Sequence, residues 1–179
     1  MKHIATVALM LSLGVAGVYA QQRPANSTLS GTAAASTINL GAGAPTSEYN
    51  LAGNGALGPF TFRTVSASVP SAQPPSTCPS PKISGTTVGG GGVIRLQDGS
   101  LLKVHLTQGS DCIDFAAFEA LCIRVFQVIG GTGRFQGASG NVTLTMTVVP
   151  VLGDASNNPV LFTVTGDLTG TVSGAPRQQ

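Results

Sequence analysis

The sequence has few charged residues and few side chains that bind metal ions. Only 9% of its 179 residues are charged, and its nine basic residues are scattered along the chain. Because a surface for nucleic acid or an anionic membrane needs clustered basic residues, we expect neither partner. Two histidines and no Cys-x-x-Cys pair argue against zinc, so we expect no metal. With so little charge, solubility depends on Thr, Ser, Asn, Gln and exposed backbone, which fits a sheet-rich extracellular protein.

The first twenty residues have the pattern of a secretory signal peptide. Lys2 and His3 precede an apolar run over residues 4–18, and Val18-Tyr19-Ala20 forms a small-x-small cleavage signal before Gln21. The apolar run is shorter than the ~20 residues that span a bilayer, which disfavours a membrane anchor. We therefore expect export to the extracellular space or the periplasm, with no membrane attachment after cleavage.

The remaining chain is long enough for one domain with a sizeable core. We expect residues 1–20 to be the signal peptide, residues 21–28 a flexible segment, residues 29–174 the folded domain and residues 175–179 a disordered tail.

The three cysteines, Cys78, Cys112 and Cys122, cannot all pair within one chain. Export favours their oxidation. Cys112 and Cys122 are the favoured pair, because a bond between them closes a short loop, and Cys78 is then left over. The alternatives stay open, since spacing does not determine connectivity: Cys78 replaces one of the two, or it joins two chains.

Alternating apolar and polar residues predict β-strands almost throughout. Residues 141–148 place Val, Leu and Met on one face and Thr on the other, and residues 161–172 repeat the pattern. Residues 28–40 and 60–66 are weaker candidates. Period-two alternation is typical of antiparallel sheets with one wet face. Only residues 114–121 have helical spacing, and we expect one or two helical turns there.

One hairpin can be placed in register from its apolar residues. A two-residue loop at Asp98-Gly99 would divide these residues between two faces. A three-residue loop over residues 97–99, with Gly99 in the left-handed region, brings them onto one face. Because a slip of one residue swaps the faces, burial selects the three-residue loop. The inward residues are then Ile94, Leu96, Leu102, Val104 and Leu106, and the outward ones are Arg95, Lys103 and His105.

A glycine-rich segment at residues 130–140 reads G-G-T-G-R-F-Q-G-A-S-G between two strand-like runs. So many glycines indicate a backbone that bends, bulges or takes positive φ. The third glycine is misplaced for a dinucleotide-binding motif, and a strand follows instead of a helix, so we expect no cofactor. We interpret the segment as the corner of a β-hairpin, shaped by Gly130, Gly131, Gly133, Phe135, Gly137 and Gly140.

Glycines inside the strand-like segments favour a closed barrel. Ser-Gly or Thr-Gly pairs recur at residues 30–31, 84–85, 139–140 and 169–170. In-strand glycines mark the bends at which a sheet curls shut. Many strands, few helices and curled sheets together favour a closed antiparallel barrel over an open sandwich.

The glycine segment also carries a resemblance to a known family. With V-F-Q-V-I before it and alternating Thr and apolar residues after it, it resembles the G-G-T-G-x-F-x-x-A-x-G segment of dirigent proteins. The related allene oxide cyclase barrels have a similar turn. The match covers residues 125–143, with an echo at residues 54–63. It implies an all-β, closed antiparallel barrel of about eight strands with a pocket at one end, often in a dimer or trimer.

The catalytic set of that family cannot be carried over onto this sequence. The acid, arginine and tyrosine that dirigent proteins use have no positions that match here. Tyr49 is the only tyrosine after residue 20. We therefore assign no catalytic residue.

Three charged residues are candidates for ligand binding: Glu48, Arg63 and Arg124. Arg124 shares a strand face with apolar residues, so burial in a barrel would require a carboxylate partner or an anionic ligand. An arginine that reaches solvent from a strand end is the favoured alternative. Three nearby acids lack the spaced oxygen ligands of a calcium loop, and we interpret them as solvated. They are Asp111, Asp114 and Glu119.

Three functional classes remain open. The preferred one is a secreted barrel that binds a small hydrophobic or phenolic molecule in a pocket. The second is a protein that steers cyclisation or coupling of a reactive intermediate, with isomerase-like or cyclase-like activity. The third is a structural component of a surface or matrix, with a filled barrel.

The contents of the barrel distinguish these classes. A pocket with a paired acid and arginine would favour chemistry over simple binding. The pocket hypotheses fail if inward side chains fill the lumen, and the candidates for filling it are Phe60, Phe62, Phe126, Met146 and Phe162.

Overall fold

The computed structural model describes residues 22–41, 43–73 and 75–174. The expected signal peptide and C-terminal tail lie outside these residues. The strands are β1 (Arg23–Pro24), β2 (Ser27–Ser36), β3 (Thr46–Gly55), β4 (Phe60–Pro70), β5 (Ile83–Leu96), β6 (Leu101–Asp114), β7 (Glu119–Gly131), β8 (Ser139–Gly153) and β9 (Pro159–Ser173), with a 3-10 helix at Gly133–Phe135 between β7 and β8.

The long strands close into a barrel. Each strand from β2 to β9 pairs antiparallel with the next, and β9 also pairs with β2, which closes the sheet. The short β1 pairs with β9 at Thr171 and Val172, past the end of the pairing between β2 and β9. β1 and β2 therefore lie on the same side of β9 in the barrel wall. The predicted closed antiparallel barrel of about eight strands is therefore confirmed. Its wall begins at Arg23, before the expected domain boundary at residue 29.

The inward faces of the strands form the core. In β8, Val142, Leu144 and Met146 are fully or almost fully buried, as their alternation with threonine predicts. In β9, Val164 and Leu168 are buried in the same way. Because successive side chains of a strand point to opposite faces, one apolar set fills the barrel while threonines face water.

The β5–β6 hairpin has the predicted register. Ile94 pairs with Leu102, and the Leu96 N–H donates to the Ser100 carbonyl at 3.0 Å, which leaves residues 97–99 as the loop. Gly99 has a φ of 81°, the left-handed value that a three-residue loop requires. The five apolar residues assigned to the inner face are all buried, and Arg95, Lys103 and His105 are exposed.

The helical turns predicted over residues 114–121 are absent. Pairing of β6 with β7 continues to Asp114 and Glu119, so only residues 115–118 remain for the turn. The Asp114 carboxylate accepts hydrogen bonds from the N–H groups of Ala116 and Ala117 at 3.0 and 3.1 Å. An aspartate that bonds to the backbone in this way favours a tight turn over a helix.

The favoured disulfide is also wrong. Cys78 is bonded to Cys112, and Cys122 is a buried free thiol. In the β6–β7 register Cys122 lies opposite Asp111, while Cys112 lies opposite Leu121. Cys112 and Cys122 therefore project to opposite faces of the wall and cannot bond. The loop between β4 and β5 brings Cys78 to the outward-facing Cys112.

Candidate functional site

The barrel is filled in its middle and at one end. Phe62 and Phe126 meet edge to face with their ring centroids 5.5 Å apart, and both are completely buried. At the end formed by the β3–β4, β5–β6 and β7–β8 connections, Leu57 and Phe135 belong to the same core. Of the five side chains expected to fill the lumen, four do so; the fifth, Phe162, lies at the other end.

The glycine-rich segment belongs to this filled end. Its glycines Gly130, Gly133, Gly137 and Gly140 have positive φ, as its interpretation as a hairpin corner requires. Arg134 in this segment donates from Nη2 to the Leu57 carbonyl at 2.5 Å. The segment that resembles a known family therefore lies at the opposite end of the barrel from the pocket described next.

A pocket occupies the other end of the lumen. Its volume is about 320 Å³, and it opens to solvent where β2, β4, β6 and β8 end. Most of its lining is apolar, and the polar side chains include one acid, one arginine and one tyrosine. Lining side chains that bear on its chemistry are Ala33, Tyr49, Asp111, Ile113, Ala120, Cys122, Arg124, Val148 and Phe162.

Arg124 and Asp111 form a buried ion pair in the pocket wall. Arg124 Nη2 donates to Asp111 Oδ1 at 2.6 Å, and the side chains are 3% and 11% exposed. Nη1 donates to the carbonyls of Ser110 and Ile123 at 2.9 and 3.0 Å. The solvent-exposed arginine that we favoured is therefore wrong for Arg124, and its partner is a carboxylate. Such hydrogen bonds satisfy a charge that burial would otherwise penalise.

A β-bulge turns Asp111 into the lumen. The β6–β7 register shifts between Leu106 and Gln108, so Thr107 is an extra residue. Before the bulge, the even-numbered residues of β6 face inward; after it, Gly109 and Asp111 do. Bulges re-aim side chains in this way. The interpretation of Asp111 as a solvated acid is therefore wrong, because simple alternation from Leu106 onward places it outside.

Gly109 makes room for the arginine. It lies directly opposite Arg124 on the neighbouring strand. A Cβ at Gly109 would be 2.9 Å from Arg124 Cδ and 2.5 Å from Thr87 Oγ1, both closer than atoms tolerate. The missing side chain therefore lets the arginine lie flat against the wall.

Two neutral groups lie beside the ion pair. Burial, reinforced by nearby Cys122, raises the pKa of Tyr49 to about 12, so its phenol keeps its proton at neutral pH. Burial and the Asp111 carboxylate raise the pKa of the Cys122 thiol. Burial is the largest influence on the Arg124 pKa and opposes the charge, but Asp111, Tyr49 and Cys122 together outweigh it and raise the arginine pKa. The site thus holds one cation, one anion, a phenol and a thiol.

Ala33 separates two aromatic side chains at the pocket. It is the direct neighbour of Tyr49 on β3 and of Phe162 on β9. Adjacent strands are about 4.8 Å apart, so the small side chain leaves a gap between the two rings. A larger residue at this position would fill that gap.

The other two predicted ligand-binding residues lie elsewhere. Arg63 is exposed on the outer face of β4. Glu48 is also directed outward, and it accepts a hydrogen bond from the Ser36 hydroxyl at 2.6 Å. Both border a shallow outer groove beside Gly91 and Gly92. The structure therefore does not bring Arg63 or Glu48 together with Arg124.

Sequence reasoning missed Asp111 and Tyr49 as members of the site. The one available signal was Arg124 among apolar neighbours, which called for a carboxylate partner or an anionic ligand without saying which residue would supply the carboxylate. Within the described ranges, no group of three or more His, Cys, Asp or Glu side chains is arranged to hold a metal ion. The described part of the chain contains no helix that is long and apolar enough to cross a membrane.

The fold and the site define a closed eight-stranded antiparallel barrel with an ion pair in a pocket at one end. No protein-family model matches the sequence, and no curated protein matches it. Among solved structures, the chain is similar to the pterocarpan synthase dirigent protein PsPTS1, with a TM-score of 0.45 and 12% identity over 88% of this chain and 97% of that one. It is also similar to the pterocarpan synthase dirigent protein GePTS1, with a TM-score of 0.45 and 10% identity over 89% and 88%.

Proposed function

We propose that this protein binds a small, largely apolar molecule in the pocket at the open end of its barrel. The observation that carries the proposal is the Asp111–Arg124 pair in the apolar wall of a cavity of about 320 Å³. Ligand pockets are concave and mostly apolar, and have a few placed polar groups. A purely structural role would favour a lumen filled at both ends, and here Ala33 and Ala120 leave one end unfilled.

We also propose that the protein is exported before it binds its ligand. The signal-peptide pattern of residues 1–20 supports this, and so does the Cys78–Cys112 disulfide, because disulfides persist in oxidising compartments. N-terminal sequencing of protein recovered outside the cell should find Gln21 first. Recovery of the full-length chain inside the cell alone would contradict export.

Native mass spectrometry of the protein purified from its own host tests ligand binding. We expect a mass increment from a bound small molecule, which Ala33→Leu abolishes by filling the gap between Tyr49 and Phe162. Ala34→Leu is the matched control, because the next residue of the strand faces outward. Repeated absence of any increment in the wild-type protein, or equal loss in both variants, would contradict the proposal.

A second candidate function is the steering of a reactive intermediate, and the Asp111–Arg124 pair favours it. A carboxylate held in a mostly apolar pocket can position a reacting group or accept a proton from it. The test is to incubate the protein with the molecule it retains and to follow isomerisation or coupling by chiral chromatography. Turnover that Asp111→Asn removes while binding persists would support steering. If the molecule is recovered unchanged, the protein binds it without catalysing a reaction.

A further inference from the structure

The two charges in the pocket are unequally accessible to a ligand. The Arg124 side chain is 3% exposed, whereas that of Asp111 is 11% exposed. The N–H groups of Arg124 also donate within the protein. Nη1 donates to two backbone carbonyls, Nη2 to Asp111 and Nε to Ser66 Oγ at 3.5 Å. Since a guanidinium has five N–H donors, little remains for an incoming anion.

Asp111 keeps one oxygen for a ligand. Its Oδ1 accepts from Arg124. Among the described residues, the other side-chain donor toward this carboxylate is the Cys122 thiol, a weak donor that leaves Oδ2 open to a stronger one. Oδ2 lies beside Gly85, where an added Cβ would be in van der Waals contact with it at 3.4 Å, so the missing side chain leaves the space beside Oδ2 open. Both residues line the pocket. A carboxylate oxygen only accepts, so the group that meets it must donate.

The rest of the pocket mouth offers no compensating positive charge in the described chain. Lys82, next to the lining residue Ile83, is paired with Asp114 at 3.0 Å. Arg63 lies on the outer face of the barrel. Because Asp111 and Arg124 cancel, the pocket has no net charge, and a buried anion or cation would lose its hydration without a counter-charge.

From these contacts we propose that the pocket selects a neutral molecule that donates a hydrogen bond to Asp111 Oδ2, such as an alcohol on an apolar body, and rejects carboxylates of the same shape. The inference rests on the proposed binding function and adds the charge and polarity of the ligand. Arg124 is a positioning residue here, since it holds the carboxylate and leaves the contact with the ligand to Asp111.

Three probes with one apolar body test the proposal: 2-naphthol, 2-methoxynaphthalene and 2-naphthoate, titrated into the full chain at pH 7 and followed by probe fluorescence. We expect 2-naphthol to bind about tenfold or more tightly than either of the others, because a hydrogen bond to a charged acceptor is worth about 1.5–3 kcal/mol. Equal or tighter binding of 2-naphthoate would overturn the inference while leaving the binding function intact. If none of the three binds, the binding function itself is wrong.

Substitution of Asp111 provides a second readout. Asp111→Asn removes the carboxylate and leaves Arg124 without its counter-ion, so the preference should reverse and 2-naphthoate should bind at least as tightly as 2-naphthol. Asp167→Asn, an exposed acid on the outer face, is the matched control and should leave the order unchanged.

The double variant Asp111→Leu with Arg124→Met covers the case in which Asp111→Asn fails to fold. It removes both charges, so 2-naphthol should lose its advantage over 2-methoxynaphthalene. A retained advantage would show that the hydroxyl is recognised elsewhere and would overturn the proposal.

Discussion

At the scale of single residues, the site depends on one buried arginine and the groups that satisfy it. Gly109 gives Arg124 room, two backbone carbonyls accept from it, and Asp111 supplies the counter-charge. Arg124 cannot lose its proton and is almost fully buried, whereas Asp111 reaches the pocket, where water can hydrate it. Removal of Asp111 and removal of Arg124 should therefore lower the free energy of unfolding by different amounts.

Asp111→Leu should lower the free energy of unfolding by about 3–5 kcal/mol, because it leaves an unpaired charge buried. Arg124→Met should cost less, since the remaining carboxylate reaches water through the pocket. The double variant should be more stable than Asp111→Leu alone. Urea denaturation of the four proteins measures these differences, and strictly additive losses would contradict the pairing.

Tyr49 predicts a loss of stability at alkaline pH. Its pKa is raised from 10.0 to about 12 in the folded protein, so folding favours the protonated phenol. The stabilisation is complete below pH 10 and disappears as the pH rises from about 10 to about 12, for a loss of about 2–3 kcal/mol.

The measurement compares unfolding free energies at pH 9 and pH 12 with and without Tyr49→Phe. Both proteins carry Cys122→Ala, because the raised pKa of the Cys122 thiol acts in the same direction. Tyr49→Phe should flatten the alkaline decline. An equal decline in both proteins would show that the phenol titrates as it does in water.

At the scale of elements, β6 changes its inward face partway along its length. Its first half is in register for the hydrophobic core, and the bulge at Thr107 puts Asp111 into the pocket and Cys112 outside. The same shift therefore sets both the ion pair and the disulfide. One extra residue in a strand decides which cysteines can meet.

The disulfide prediction concerns Cys78 and Cys112. Replacing both with serine should lower the unfolding free energy by roughly 3–4 kcal/mol, because the bond closes a long loop in the unfolded chain. Peptide mapping without reduction should recover Cys78 joined to Cys112. In the native protein at pH 8 the Cys122 thiol should resist iodoacetamide, since it is buried, and should react after denaturation. A Cys112–Cys122 peptide would contradict the register.

The glycine-rich segment at residues 130–140 predicts an effect on stability that is separate from ligand binding. Gly137 has a φ of +72° with open space around it, so Gly137→Ala should cost about 1–2 kcal/mol from backbone conformation alone. Gly89→Ala is the matched control, because Gly89 also has open space but no positive φ. It should change stability little. Neither variant should alter probe binding, and weakened binding in Gly137→Ala would show that the two barrel ends are coupled.

At the scale of the whole molecule, closure of the sheet leaves no long edge strand in the described part of the chain. β9 pairs with β2 from Leu161 to Leu168 and with β8 over most of its length. Edge strands otherwise expose unpaired N–H and C=O groups. β2 and β9 therefore protect each other's edges, and one end of the closed lumen stays unfilled.

Hydrogen exchange tests this closure. Amides of β2 and β9 at their seam should exchange as slowly as those of β5 and β6, because exchange at each requires the barrel to unfold. Exchange at the seam that is faster by orders of magnitude would show a sheet that opens there. Mass spectrometry of peptides that cover residues 27–34 and 161–168 gives the measurement.

The sequence alone determined the fold class, the inward residues of β8 and β9 and the register of the β5–β6 hairpin. These follow from local alternation and turn chemistry, because burial of one face leaves one acceptable register. The tertiary structure decided the site. Asp111, Tyr49 and Arg124 lie on three different strands, and Thr107 in the β6 bulge shifts the alternation that points Asp111 inward. Such a shift has no local signature, because it depends on pairing with a neighbouring strand.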